Sequence, residues 1–129
     1  MRDYQAKNNN PYILPKPLYM QVLWLIRDYD RMLEEYQGAI DGSPNPPDGQ
    51  PRGASLVNST EQKALRRAEL WFKIEAIDQA LSTIPEEYRR GIWNNIVYWR
   101  QYPLDAGRRT YARHKQRFVY RTAKKLHWI

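Results

Sequence analysis

The chain contains no cysteine, which excludes disulfide frameworks and thiolate metal sites and leaves packing as the source of stability. Long apolar runs are absent too. The strongest, around Met20–Ile26, is interrupted by Gln21 and followed by Arg27 and Asp28, far short of the roughly 20 apolar residues that span a bilayer. No membrane association is therefore expected. The opening residues MRDYQAKNNNP lack an apolar region and a small-residue cleavage site, so no secretory signal is expected and the cytoplasm is the expected location. The glycines fit neither GxGxxG nor GxxxxGK[ST], and GxSxG and HExxH do not occur, so nothing points to an enzyme or a cofactor. His114 and His127 lie far apart, without a carboxylate or cysteine at ligand spacing, and no metal site is expected. No alternating apolar and polar stretch of strand length appears, which excludes a sheet as the organising element.

What is present is a chain of 129 residues with 42% hydrophobic residues and a formal net charge of +7, enough for one compact core. Five Trp, ten Tyr and two Phe supply large side chains that must fill that core or offer a flat face to a partner.

Along the chain, residues 1–17 hold three consecutive Asn and Pro11, Pro15 and Pro17, the composition of a poorly ordered start and an extended entry. Leu18, Val22, Leu25/Ile26, Tyr29, Leu33 and Tyr36 then recur at spacings of three and four, predicting a first helix over about 17–40. Tyr19, Leu23, Trp24 and Met32 lie outside that stripe, so this helix either covers the rest of the fold or buries against a second chain as a homodimer contact. Residues 41–59, with four prolines and three glycines, predict a flexible linker. STEQ at Ser59 matches a capping box and predicts a second helix to about Thr83, with Leu70, Ile74, Ile77, Leu81 and Ile84 on its buried seam. Glu75 and Asp78 on that helix read as ion-pair partners for Arg89 or Arg90 rather than as a catalytic pair. Pro85, Glu86 and Glu87 suit the start of a third helix, with Tyr88, Ile92, Trp93 and Ile96 buried and Gly91 a small cost. Trp24, Trp71, Trp93 and Trp99 are expected in the core or between helices. After RQYPLDAG (100–107), a last helix should run from about 105 or 106 to 126. The expected fold is a small all-α domain of about four helices, divided into an entry and helix over 1–40, the linker 41–59 and a helical region over 60–129.

Charge is concentrated at one end. From Arg100 to Ile129 nine Lys and Arg face a single acid, Asp105, a net of +8, while residues 1–99 carry a net of −1. With Arg113 set to zero at 100° per residue, Tyr120, Lys124, Arg117 and Arg121 fall between about −20° and 80°. Ala112, Val119, Ala123, Leu126, Tyr111 and Phe118 lie on the opposite side. The last helix is thus amphipathic with a cationic outer face, suited to a DNA groove and its phosphates.

YILPKPLYMQVLWLIRDYDRM (12–32) and IEAIDQALSTIPEEYRRGIWNNIV with TYARHKQRFVYRTAKKLHWI (74–97 and 110–129) resemble phage and prophage late-transcription regulators of the RinA type. The C-terminal part of those proteins is similar to the sigma-factor helix-turn-helix. The resemblance implies a transcription activator that binds double-stranded DNA in the nucleoid of a bacterial host, with host RNA polymerase as a second partner. Between the third and last helices only RQYPLDAG stands, too short for the extra positioning helix of a standard sigma-type reader. The candidate DNA-contact set is Arg108, Arg109, Thr110, Arg113, His114, Arg117, Tyr120, Arg121 and Lys124. Two other readings of the basic end stay open: a binder of RNA or DNA without sequence preference, and a helical phage-assembly or adaptor module meeting an acidic protein.

Overall fold

The first predicted helix divides at Asp28. In this computed structural model, which describes residues 5–6, 9–40 and 53–129 without the side chains of 39–40 and 53–59, α1 spans Lys16–Arg27 and α2 spans Tyr29–Ile40. Asp28 (φ −88°, ψ 3°) donates its N–H to the carbonyls of both Trp24 and Leu25 at 3.1 Å, and its own carbonyl accepts the Met32 N–H at 3.0 Å. That shared bond is how a helix closes its last turn. The carboxylate of Asp28, held by Arg31, sits beside the break instead of on a continuous helix face. Periodicity survives such a one-residue interruption, which is why it suggested one helix.

Three more helices follow: α3 (Gly53–Ser82), α4 (Glu86–Tyr98) and α5 (Arg108–Lys125). The fold is all-α, with five helices and no strand among the described residues. No described helix is long and apolar enough to cross a membrane. Helix α3 begins at Gly53, six residues ahead of Ser59, so the backbone at Ser59 is already helical and the STEQ capping box does not start the helix. Beyond Pro51 no proline stands in the way, and the remaining expectation for the linker, at 41–52, lies outside the described residues. With 30 residues α3 is about 45 Å long. Its side chains at 60–69 are all exposed, and its burial begins at Leu70.

One core joins the elements. Tyr19, Val22, Leu23 and Ile26 of α1, Leu70, Ile74 and Ile77 of α3, Ile92 and Ile96 of α4, and Tyr111, Phe118, Val119 and Ala123 of α5 form a single buried cluster. Helix α5 packs on α1, α3 and α4. Tyr19, Leu23 and Met32 are therefore covered within the chain, each 2% exposed or less. Helix α2 runs antiparallel to α3, fixed by the Tyr29 hydroxyl donating to Asp78 at 2.8 Å, the stacked pair Tyr36–Trp71 and the Arg66–Glu35 ion pair. Asp78 is thus taken by Tyr29, and Glu75 accepts from Gln79 at 2.9 Å. Arg89 reaches neither: it donates to the carbonyls of Ile84 and Ser82, where a cation complements the end of α3.

Of the two places expected for the tryptophans, the structure gives contacts between helices and not the core. Trp24 is 57% exposed, Trp71 47% and Trp99 46%, whereas Trp93 is half-buried edge-on against Tyr29. Tyr19, Tyr111 and Phe118 fill the centre together with Leu and Ile side chains, and the indoles lie at its rim. The Arg27 guanidinium lies over both Trp24 and Trp99, at 4.8 and 3.8 Å from their rings, while Arg27 Nε donates to the Ile96 carbonyl at 2.8 Å. Trp99 caps α4 in the left-handed region (φ 59°), a position that glycine usually takes and that costs a bulky residue about 1–2 kcal/mol. Its stacking on Arg27 offsets that cost.

Gly91 allows the α4–α5 contact. A Cβ there would stand 2.7 Å from the Tyr111 ring and 2.8 Å from Pro103. Tyr111 is itself fixed by stacking on Tyr102, edge contact with Tyr88 and a 2.6 Å hydrogen bond to Asp105. The close approach explains a glycine in the middle of a helix.

Candidate nucleic-acid interface

Helix α5 carries the basic residues, and the way its neighbours grip it decides which remain accessible. Its buried side chains are Tyr111, Lys115, Gln116, Phe118, Val119, Thr122 and Ala123. The apolar members lie on the side expected from the helical projection. Lys115 and Gln116 are polar members of the same arc, and each is bonded: Lys115 Nζ donates to Asn95 Oδ1 at 3.0 Å, and Gln116 Nε2 donates to Gln5 Oε1 and the Tyr12 carbonyl at 2.7 and 2.8 Å.

The opposite arc is narrowed from two sides. Along one edge lies the N-terminal segment, with Tyr12 edge-on to Tyr120 (5.3 Å between centroids) and the Arg117 guanidinium over the Tyr12 ring at 5.5 Å. Along the other edge lie the α3–α4 turn and the start of α4. Arg121 Nη1 donates to Thr83 Oγ1 at 2.7 Å, and the His114 imidazole stacks on Tyr88 at 4.7 Å. Between these walls Arg109, Arg113 and Lys124 are exposed and make no ion pair or hydrogen bond among the described residues. Arg108 is also exposed, but it projects about 140° from Arg113, on the other side of the first turn. Thr110 is half-buried.

The nine candidate residues therefore fall into groups. Arg109, Arg113 and Lys124 form an open cationic strip, with Arg108 beside its start. Arg117, Tyr120, Arg121 and His114 form the walls and touch it with one edge. Ala112, placed by the projection on the apolar arc, is exposed as well, while Tyr111 beside it is fully buried.

Electrostatics in this region favour an anion. Gly107 precedes α5 without a side-chain cap, and the first turn has no acidic residue, so the positive end of the helix dipole is uncompensated and faces Arg108 and Arg109. The ion pairs described in the molecule lie on the α2–α3 side, at Arg31–Asp28, Arg31–Glu35, Arg66–Glu35 and Arg66–Glu69. Asp105, the acid nearest in sequence, accepts the Tyr111 hydroxyl, and burial with that bond pushes Tyr111 up to about 12. Burial lowers His114 below its ordinary 6.5, helped by Arg117, Arg113 and Arg121 and opposed by Glu87 of α4. Its Nδ1 is buried without a hydrogen-bond partner, as is Nε of Arg117.

Among the described residues no group of three or more His, Asp or Glu side chains is placed to hold a metal ion. Sequence reasoning missed Tyr12 and Gln116 as neighbours of the strip. Gln116 sits at about −60° on the projection, at the border between the apolar and basic arcs, and a polar residue at such a border signals a contact that periodicity alone does not name. No family model matches the chain, and neither a curated protein nor a solved structure is significantly similar to it.

Proposed function

We propose that this protein binds double-stranded DNA through α5, with the exposed side of its first turns at the major groove and the strip of Arg109, Arg113 and Lys124 along the phosphates. The observation that carries this reading is a helix packed on three others through one arc while its outer arc presents unpaired cations beside an uncapped N-terminus. An α-helix fits the major groove, and recognition helices read base edges with their N-terminal residues. Arg109 and Arg113 are suited to bidentate contact with phosphate, and Lys124 meets it as a point charge. Arg117 and Arg121 add one edge each from the walls.

The resemblance of 12–32 and 74–129 to RinA-type regulators supports placing this DNA binding in transcription activation, with host RNA polymerase as a second partner. The test is fluorescence anisotropy on a set of duplexes spanning the DNA around the coding region, across a salt series. Three to five phosphate contacts correspond to a log–log slope of about −3 to −4.5. A selective duplex with such a slope supports the regulator. Equal affinity for unrelated duplexes, or preference for structured RNA, favours a general nucleic-acid binder. No binding at low salt favours a protein partner for the basic strip.

A further inference from the structure

Of the N-terminal residues expected as a poorly ordered start, 5–6 and 9–14 are joined by side-chain hydrogen bonds, and 1–4 and 7–8 lie outside the described residues. Gln5 uses its side-chain amide as a backbone partner would: Nε2 donates to the Leu14 carbonyl and Oε1 accepts the Leu14 N–H, each at 2.8 Å. Leu14 is 4% exposed within the core cluster. Asn10 Nδ2 donates to the Ala6 carbonyl at 2.8 Å, and Asn10 Oδ1 accepts the Tyr12 N–H at 3.0 Å. Asn9 takes the left-handed conformation (φ 51°), which Asn tolerates better than most residues. Gln116 on α5 then clamps this segment by donating to both Gln5 Oε1 and the Tyr12 carbonyl.

The clamp fixes Tyr12 over the outer arc of α5, where its ring meets Tyr120 and Arg117. Arg117 makes no hydrogen bond or ion pair among the described residues, and its Nε is buried without a partner. The other four N–H donors of this charged, planar group also find no acceptor among the described residues, while the Tyr12 ring limits the directions in which the guanidinium points. A flexible Arg loses side-chain entropy when it binds phosphate, and a ring that restricts it beforehand reduces that loss.

We propose that the N-terminal segment is a positioning element of the nucleic-acid interface, in which Tyr12, clamped by Gln116 and Gln5, holds Arg117 toward a phosphate. This rests on the duplex-binding reading above. Tyr12 itself is a positioning residue that acts through Arg117.

A double-mutant cycle on a fluorescein-labelled mixed-sequence duplex at low salt tests it. Tyr12→Ala should weaken binding about two- to fivefold, Tyr12→Phe should leave it unchanged, and Tyr12→Ala should have no further effect once Arg117→Ala is present. Combined with Arg113→Ala, by contrast, the two losses should multiply. Far-UV circular dichroism checks folding, and if Tyr12→Ala unfolds the protein, Gln116→Ala, which releases the clamp and keeps the ring, takes its place in the cycle. Equal losses from Tyr12→Ala with and without Arg117 overturn the proposal, as does duplex binding that needs Arg113 and ignores Tyr12. In both cases the duplex-binding reading survives. No duplex binding by the unmodified protein overturns both.

Discussion

His114 lies face to face with Tyr88, ring centroids 4.7 Å apart and planes 19° from parallel, with its Nδ1 buried and without a hydrogen-bond partner. Burial and the flanking Arg117, Arg113 and Arg121 all disfavour the imidazolium, and only Glu87 favours it, so His114 titrates below 6.5 in the folded protein. The unfolded chain therefore takes up this proton first. Its contribution to stability is complete above about pH 6.5 and is lost as pH falls toward the folded value. Thermal unfolding between about pH 7.5 and 5.5, above the carboxylate range, should show a decline that His114→Gln reduces. Duplex binding should show the opposite sign, because phosphates facing the three arginines remove their opposition to the imidazolium and affinity rises on acidification. Parallel pH profiles for the protein and His114→Gln, in both measurements, would contradict this.

Arg108 and Arg109 stand at the positive end of the α5 dipole with no acid in the first turn, an arrangement that weakens the isolated fold and strengthens an anion site. Arg109→Glu should raise Tm by about 2–4 °C at low salt, since a carboxylate replaces a guanidinium at a helix N-terminus. The same change should weaken duplex binding at least tenfold. Calorimetry and anisotropy on one preparation check the two signs together, and a variant that loses both stability and binding would show Arg109 to be structural.

At Gly91 the space is already taken by the Tyr111 ring and Pro103. Although alanine is the better helix former, Gly91→Ala should destabilise the fold by about 1–3 kcal/mol through overpacking, measured by urea unfolding. An unchanged or higher midpoint would mean that the α4–α5 contact relaxes at little cost.

How far the sequence carried the structure is visible in α3 and α5. The steps Leu70, Ile74 and Ile77 are buried where periodicity placed them, because an apolar stripe on a helix has one place to go. The end of α3 and the start of α4 around Pro85 also lie close to their expected positions, since proline there acts through covalent geometry. Asp28 was not legible as a break. A helix interrupted for one residue keeps its phase, and what fixes the interruption includes Arg31, held by local side-chain bonds. Trp24 and Trp99 do meet between α1 and the end of α4, but hydrophobicity, which measures transfer from water, could not say that they stay about half exposed with a guanidinium over their rings. At the basic strip, projection correctly opposed Arg113 and Lys124 to Phe118 and Val119. It could not say that Tyr12, more than a hundred residues away in sequence, and Thr83 would close over Arg117 and Arg121, because such contacts depend on how distant segments meet.

The central claim is that the open strip on α5 is where duplex DNA binds. The most direct measurement is the salt dependence of duplex affinity for the protein and for the triple replacement of Arg109, Arg113 and Lys124 by Ala, none of which contributes to the core. The expected log–log slope is about −3 to −4.5 for the protein, and shallower by about 2.7 with much weaker binding for the variant. An unchanged slope and affinity in the variant, with the fold intact, would place the nucleic-acid contact elsewhere and contradict it.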